Sequence, residues 1–400
     1  MKLRINICHI YLVLILLTWF NGTLYTPGGF VAQGIQYVIL LMSLYYAVYA
    51  NQKYKLPVYF KGLNVLLIMF AIYGMILILS GEQIVLQATY TVTTNTTYLK
   101  SILLSLLPIY AFYVFTRQGY LTEKSIRFWF FVFFVLAIRS FFRSQERHLE
   151  AALEASSSST EFTSNVGYTF VALLPALVYF QKQRMLQYIL MVACAYFIVA
   201  AMKRGAIICG AVCIVWFLAV NLKKTKRNRR FLVLLLSVIV FAALAYIYYY
   251  MLNSSDYFNY RIQQTESGDS SGRDILYSTF LNHFLNESNI LRFLLGNGAN
   301  ATLKISYNFA HNDWLEIAIN QGVLGLLIYL FYWISLFITW RRSRRQPQPF
   351  MAIGMFLFIY FLSTLFSMSY NNVTRFAAMV LGYSLAIYNN KEQTLQNVNV

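Results

Sequence analysis

Long apolar runs alternate with short polar stretches along the whole chain. About twelve of these runs approach the length at which a helix crosses a bilayer, roughly 20 residues. The pattern therefore predicts an all-α, polytopic membrane protein with about 12 transmembrane helices. The predicted spans are 5–20, 31–50, 63–79, 99–116, 128–142, 166–180, 186–202, 206–222, 231–251, 315–340, 350–368 and 376–388.

No Pro- or Ser-rich linker divides the chain, so we expect a single integral membrane domain over residues 1–400. Residues 252–314 interrupt the alternation with one long polar stretch, which predicts a large outer loop between spans nine and ten. Within it, Ser271 and Asp274 are helix-start signals, and the helix is expected to run to the glycines of 294–298. Its apolar face would carry four side chains, those of Ile275, Leu276, Phe280 and Phe284.

Composition supports a lipid environment. Hydrophobic residues make up 59% of the chain and charged residues 12%, against roughly 45–50% and about 25% in soluble domains. The four cysteines lie in or beside apolar runs, which favours helix packing over a disulfide framework or a zinc site.

The charges are distributed unevenly across the predicted membrane. Of the 32 Lys and Arg residues, 21 fall in the polar stretches on one side, together with only two of the 14 acidic residues. Cytoplasmic loops carry such an excess, so this side is predicted to be cytoplasmic and to hold both termini. The basic runs at 223–230 and 341–345 then serve as topological anchors, and the net charge of +18 requires no nucleic acid.

Candidate chemistry lies on the outer side. His311 directly precedes the tenth span, and an ordinary histidine is largely neutral at pH 7 and able to accept a proton. The spacing of Asp313 and Glu316 predicts a capping box at this helix start, where N–H groups favour an anion. The alternative is an interfacial histidine satisfied by a backbone carbonyl.

Two sets of outer cations have no evident topological role. Lys203 and Arg204 occupy the short turn between spans seven and eight, against the positive-inside rule. Arg273 opens the loop helix, where a cation opposes the helix dipole and an anionic ligand would offset that mismatch. Binding of a phosphate explains both features, whereas snorkelling anchors are the alternative for the Lys-Arg pair.

The sequence contains no Asp-x-Asp, no His-Glu-x-x-His and no Walker-type loop. A divalent metal held by paired carboxylates is therefore not expected, and neither is a cofactor. The predicted outer side thus carries basic groups, His311 at a helix start and few acidic residues. This combination suits a substrate that carries a diphosphate.

These motifs together resemble a known family. Residues 294–298 (LLGNG), 311–316 (HNDWLE) and 322–325 (GVLG) are similar to the G-x-G, H-N-x-x-L-E and G-hydrophobic-hydrophobic-G pattern of the O-antigen ligase/polymerase family of bacterial envelope glycosyltransferases. The turn 203–206 (KRGA) resembles the family's S-R-G-A turn, with Lys203 in place of the usual serine. Arg273 corresponds to the arginine that opens the family's periplasmic loop helix.

The resemblance implies a metal-independent enzyme of the bacterial inner membrane that acts at the periplasmic face. Its donor would be a glycan on undecaprenyl diphosphate, and its acceptor either another lipid-linked repeat, as in polymerases, or lipid A–core, as in ligases. His311 would be the general base, and Arg204, Arg273 and Lys203 would bind the diphosphate. Five further residues would support the site, namely Asn312, Asp313, Glu316, Gly296 and Gly298.

Two questions remain open at the level of the sequence. Polymerases and ligases share these motifs, and only the modest size of the outer loops favours a polymerase. A transporter or flippase for lipid-linked sugars has a similar number of spans. Transporters carry internal repeats and charges near the bilayer midplane, whereas here the polar groups cluster at one face and no repeat is evident, which favours the transferase.

Overall fold

The structure, a computed structural model, describes residues 6–20, 24–26, 28–81, 84–86, 91–93, 95–154, 164–225, 227–254, 259, 263 and 272–398. The chain forms two compact units. The first contains Met1–Leu121, Ser271–Arg345 and Tyr360–Val400, and the second contains Thr122–Ser270 and Gln346–Ile359.

The first unit is built around helices that pair across long sequence separations. Its two most extensive helix pairings join Arg375–Val398 with Pro108–Arg117 and Asp313–Arg342 with Val58–Ser80. The helices begin and end as follows: α1 Ile7–Leu17, α2 Phe30–Lys53, α3 Val58–Ser80, α4 Asn95–Leu106, α5 Pro108–Arg117, α11 Arg273–Leu285, α12 Ile290–Leu295, α13 Ala301–Ser306, α14 Asp313–Arg342 and α16 Arg375–Val398.

The second unit contains five helices that lie within it and part of a sixth. They are α6 Glu123–Glu154, α7 Val166–Leu173, α8 Arg184–Ala200, α9 Arg204–Lys224, α10 Arg227–Ser254 and the first part of α15 Pro347–Ser363. Helix α8 packs against α7 and α10, and a 3₁₀ segment, Leu174–Phe180, continues α7.

The predicted helical architecture is confirmed. Seven helices within the described ranges are long and apolar enough to cross a membrane, and the count of twelve remains a prediction. The seven are Phe30–Lys53, Val58–Ser80, Thr96–Arg117, Glu123–Arg147, Arg204–Lys223, Arg230–Asn253 and Asp313–Arg345. Shorter apolar helices occupy Ile7–Phe20, Val166–Phe180, Arg184–Ala200 and Pro347–Ser363.

Prolines account for two departures from straight spans. The predicted span 99–116 is divided into α4 and α5 at Pro108, and the span 166–180 changes from α to 3₁₀ geometry just before Pro175. Proline lacks an N–H and its ring clashes with the preceding turn, so an α-helix cannot continue unchanged through it.

The polar stretch at 80–98 contains a short antiparallel hairpin, which pairs Ile84–Leu86 with Thr91–Thr93.

The outer loop contains more than one helix where the sequence predicts a single one. Helix α11 ends at Leu285, and α12 begins after Asn289, whose side chain accepts hydrogen bonds from two N–H groups of the new helix. One of the four side chains predicted to form the apolar face of this helix does not belong to it. Phe280 is buried with Leu276 and Phe284 against it, whereas Ile275 is 70% exposed because it lies off this i, i+4 row.

The predicted topology can be tested by cysteine labelling, because all four native cysteines are buried. Ser288→Cys and Gln183→Cys introduce thiols at exposed positions on the predicted outer and cytoplasmic sides. In intact spheroplasts we expect an impermeant maleimide to label the Ser288→Cys variant and to label the Gln183→Cys variant only after lysis. The reverse pattern would invert the assignment of both termini, and the unsubstituted protein gives the background.

Candidate active site

Helix α14 is interrupted at Gly322, whose backbone has φ 68° and ψ −162°. Such a break leaves carbonyls of the preceding turn without their intrahelical partners. Two N–H groups from the end of α12 supply hydrogen bonds there. Asn297 N–H donates to the Ile319 carbonyl at 2.9 Å, and Gly298 N–H donates to the Asn320 carbonyl at 3.0 Å. The segment 296–298 of the predicted outer loop is therefore attached to the break in α14 by backbone hydrogen bonds.

The contact also requires glycine on both sides. A Cβ atom at Gly296 would lie 2.4 Å from the Asn320 carbonyl, and one at Gly322 would lie 2.5 Å from the Gly296 nitrogen. Both residues have positive φ, which L side chains rarely adopt. Gly296 of the G-x-G sequence and Gly322, the first glycine of 322–325, thus lie on opposite sides of the same close backbone contact.

The cap of α14 differs from the predicted capping box. Asn312 is the N-cap, and its side-chain oxygen accepts hydrogen bonds from the N–H groups of Trp314 and Leu315 at 2.9 and 3.2 Å. Asp313 is the first helical residue, and the Glu316 side chain bonds elsewhere. The capping box is therefore wrong, because the amide of Asn312 satisfies these donors and leaves both carboxylates for tertiary contacts.

Glu316 is fully buried and accepts three hydrogen bonds. The donors are the Thr302 hydroxyl at 2.6 Å, the Asn320 amide at 2.9 Å and the Ala310 N–H at 2.8 Å. A buried carboxylate is costly unless such donors surround it. Glu316 consequently joins α13, the kinked helix and the residue before His311 into one assembly.

Asp313 is also fully buried and joins the same helix to the segment after α15. Its carboxylate accepts hydrogen bonds from the Tyr329 hydroxyl at 2.5 Å, from the Ser369 N–H at 2.8 Å and from the Ser369 hydroxyl. The Asp313 N–H donates to the Thr364 carbonyl at 2.9 Å. The start of α14 is thereby fixed to residues 364–369 by hydrogen bonds of both the backbone and the side chain of Asp313.

His311 lies between these two anchored positions. It is half-buried and its φ is 49°, in the left-handed region where non-glycine residues are uncommon. Ala310 before it is held by Glu316, and Asn312 after it caps α14. The imidazole is therefore presented from a turn whose backbone is fixed on both sides.

Tyr277 connects the helix of Arg273 to the turn of His311. Its hydroxyl donates a hydrogen bond shared between the His311 carbonyl at 3.2 Å and the Leu365 carbonyl at 3.1 Å. The Asn312 amide donates to the same Leu365 carbonyl at 3.2 Å. Burial raises the pKa of the Tyr277 phenol, and the positive charge of Arg273, one turn earlier, opposes that rise. Tyr277 thus links the helix that begins at Arg273 to the turn of His311 within the first unit.

The predicted site residues fall into two groups. Seven of them are connected within the first unit by the contacts described above, namely Arg273, Gly296, Gly298, His311, Asn312, Asp313 and Glu316. Lys203 and Arg204 lie in the second unit, half-buried at the start of α9. Their turn follows Met202, which has φ 52°, and is fixed by the Ser164 N–H, which donates to the Ala201 carbonyl at 2.9 Å.

Sequence reasoning missed three residues that organise this site, which are Tyr277, Thr302 and Ser369. Only Tyr277 has a signal in the sequence, since it lies four residues after Arg273 on one helix face. Among the residues that the structure describes, no three His, Cys, Asp or Glu side chains group in a way that suits a metal ion. Both carboxylates near His311 are already occupied by protein donors.

We expect Gly322→Ala to destabilise the protein by at least about 2 kcal/mol, because the new Cβ overlaps the Gly296 backbone at a φ that alanine resists. Gly34→Ala in α2 is the matched control, since its Cβ would meet open space. The measurement is the apparent melting temperature of each purified variant in detergent. Equal melting temperatures for the two variants would contradict the importance of the backbone contact.

The comparisons with known proteins agree with the motif analysis. Residues 189–330 match the family model described as O-antigen ligase, and a search of curated proteins gives no match. The matched stretch includes Lys203, Arg204, Arg273, the glycines 296, 298 and 322, and the turn that contains His311. With the apolar helices, it supports a multi-pass membrane protein with a glycosyltransferase-like role. The predicted resemblance to the O-antigen ligase/polymerase family is therefore confirmed over residues 189–330.

Proposed function

We propose that the protein transfers a glycan from undecaprenyl diphosphate to a sugar hydroxyl of an acceptor at the periplasmic face of the inner membrane. The observation that carries this proposal is the hydrogen bond from Tyr277 to the His311 carbonyl, which links a proton acceptor to the helix that begins with Arg273. A base and a cation held on linked elements suit an attack on a sugar whose leaving group is a diphosphate.

In the proposed reaction, His311 takes the proton of the acceptor hydroxyl as its oxygen attacks the anomeric carbon of the donor. The bond between that carbon and the diphosphate oxygen breaks, and undecaprenyl diphosphate leaves with the electron pair. The products are the extended or ligated glycan, undecaprenyl diphosphate and a protonated histidine. A positioned base of this kind contributes roughly 10²–10⁴-fold to the rate.

Arg273 would stabilise the charge that develops on the leaving diphosphate. Its guanidinium remains charged and presents paired N–H groups that match two phosphate oxygens. As the first residue of α11 it opposes the helix dipole, and a bound diphosphate would reverse that unfavourable interaction. Each charge-assisted hydrogen bond is worth about 1.5–3 kcal/mol.

Asp313 and Glu316 act as positioning residues in this scheme. Both carboxylates are buried and occupied by hydrogen-bond donors of the protein. Their effect on the reaction would come through the backbone of Ala310 and Asn312, which sets the direction of the imidazole. The family resemblance gives Lys203 and Arg204 a role in diphosphate binding, and their place at the start of α9 supports it by adding helical N–H groups.

The acceptor distinguishes two forms of the proposal. A polymerase would use the sugar of another lipid-linked repeat, and a ligase would use lipid A–core. The printed description of the matched family, O-antigen ligase, favours the second, whereas the modest outer loops favour the first. Both forms place the reaction outside the cytoplasm with both termini inside, and both operate without a metal or cofactor.

We expect His311→Ala to reduce glycan transfer by roughly 10²–10⁴-fold while the protein remains inserted in the membrane. His283→Ala is the matched control, because His283 is exposed on α11 and should leave activity unchanged. The measurement is a gel of surface glycolipids from the native host carrying each variant. Wild-type ladders in the presence of the His311→Ala protein would exclude the general base.

The gel of the host that carries His311→Ala also distinguishes the two acceptors. Loss of the long ladder to lipid A–core that carries a single repeat would identify a polymerase. Lipid A–core without repeats, accompanied by accumulated lipid-linked polymer, would identify a ligase.

We expect Arg273→Lys to impair transfer strongly, because lysine keeps the charge but loses the paired N–H groups that bind two phosphate oxygens. Arg292→Lys at an exposed position of α12 is the control and should be close to wild type. The assay is transfer from a lipid-linked donor with purified protein in detergent, as a function of donor concentration. Full activity of the Arg273→Lys variant would contradict bidentate diphosphate binding.

A further inference from the structure

The second unit contains a largely enclosed cavity of about 150 Å³ that is lined by none of the candidate active-site residues. It lies where the segment before α8, the end of α9 and the start of α15 meet. The charge pattern assigns all three of these segments to the cytoplasmic side. The polar side chains that line it include those of Gln181, Arg184, Tyr188, Asn221 and Thr225.

Arg184 is the central feature of this cavity. Its Nη1 atom is buried and makes no hydrogen bond within the part of the chain that the structure describes. Burying part of a guanidinium without a partner is unfavourable, and an anion is the partner that best offsets the cost. Tyr188 lies one turn later on the same face of α8 and supplies a hydroxyl to the same space.

The remaining lining groups also favour an anion. Neither Asp nor Glu occurs among the residues that line the cavity, and Asn221 and Gln181 add neutral amide groups. A second cation is held next to the cavity, since the Arg230 Nε donates to the Thr225 carbonyl at 3.2 Å. A volume of about 150 Å³ has room for several water-sized groups, so a phosphate fits.

A wider, open cavity of about 830 Å³ shares Gln181 and Arg184 with the enclosed one. It adds Lys182 and the apolar side chains of Met185 and Leu186, and Met185 is 60% exposed. A molecule whose phosphate occupies the enclosed space would therefore extend over a surface that is both basic and apolar.

We propose that Arg184 and Tyr188 form a binding site for a phosphate group at the cytoplasmic face. The phosphate belongs either to the headgroup of an anionic phospholipid or to a soluble phosphate ester. The site is separate from the proposed transferase chemistry, because none of its residues is assigned to that reaction.

The test uses the full-length protein in a neutral detergent and measures two ligands separately. Retention of phosphatidylglycerol is measured by native mass spectrometry, and binding of glycerol 3-phosphate by the shift in melting temperature. The variants are Arg184→Gln and Tyr188→Phe. Lys223→Gln is the matched control, because it removes an exposed cation from the same predicted side without lining either cavity.

We expect Arg184→Gln to weaken binding roughly tenfold to hundredfold, which corresponds to the loss of a charged hydrogen bond. Tyr188→Phe should weaken it severalfold, and Lys223→Gln should stay within about twofold of wild type. Binding of phosphatidylglycerol alone identifies a lipid headgroup site, and binding of glycerol 3-phosphate with similar affinity identifies a soluble ester.

Two outcomes would overturn the site. One is the absence of binding of either ligand to the wild-type protein. The other is binding to Arg184→Gln that equals binding to the Lys223→Gln control. If Arg184→Gln fails to fold, unchanged binding to the folded Tyr188→Phe variant overturns it as well.

Discussion

The arrangement around His311 depends on how the broken helix α14 satisfies its backbone. An apolar environment offers no water to carbonyls that lose their intrahelical partners, so each must find a donor in the protein. Asn297 and Gly298 supply two such donors with their N–H groups. The close approach that this requires excludes side chains at Gly296 and Gly322. One backbone requirement thus determines the position of the segment 296–298 and explains one glycine in each of two separate motifs of the sequence.

Two buried carboxylates then convert this attachment into a fixed site. Glu316 and Asp313 extend from the first turn of α14 in different directions, one toward α13 and the other toward residues 364–369. Removing either carboxylate would leave several donors without an acceptor inside the protein. Preorganised groups lower a barrier because they do not reorganise during the reaction. The left-handed backbone of His311 is a local cost within this network.

Hydropathy predicted the helical architecture well, because an apolar run in lipid has few alternatives to a helix. The proline breaks at Pro108 and Pro175 follow from known backbone chemistry, although the sequence alone suggested straight spans. The roles of Asp313 and Glu316 were not predictable, since a capping box and a buried tertiary network share the same spacing. Tyr277 and Ser369 escaped notice because their importance lies in partners 34 and 56 residues away along the chain.

The proposed roles of the two arginines that open helices depend on the helix dipole. Arg204 and Arg273 are each the first residue of a helix, where a carboxylate would be favoured and a cation is not. The helix dipole by itself disfavours a cation at this position. A phosphate changes the balance, because it interacts favourably with the guanidinium and with the exposed N–H groups of the first turn at once. The diphosphate of the proposed donor would therefore interact favourably with a cation at a position where the helix dipole alone disfavours one.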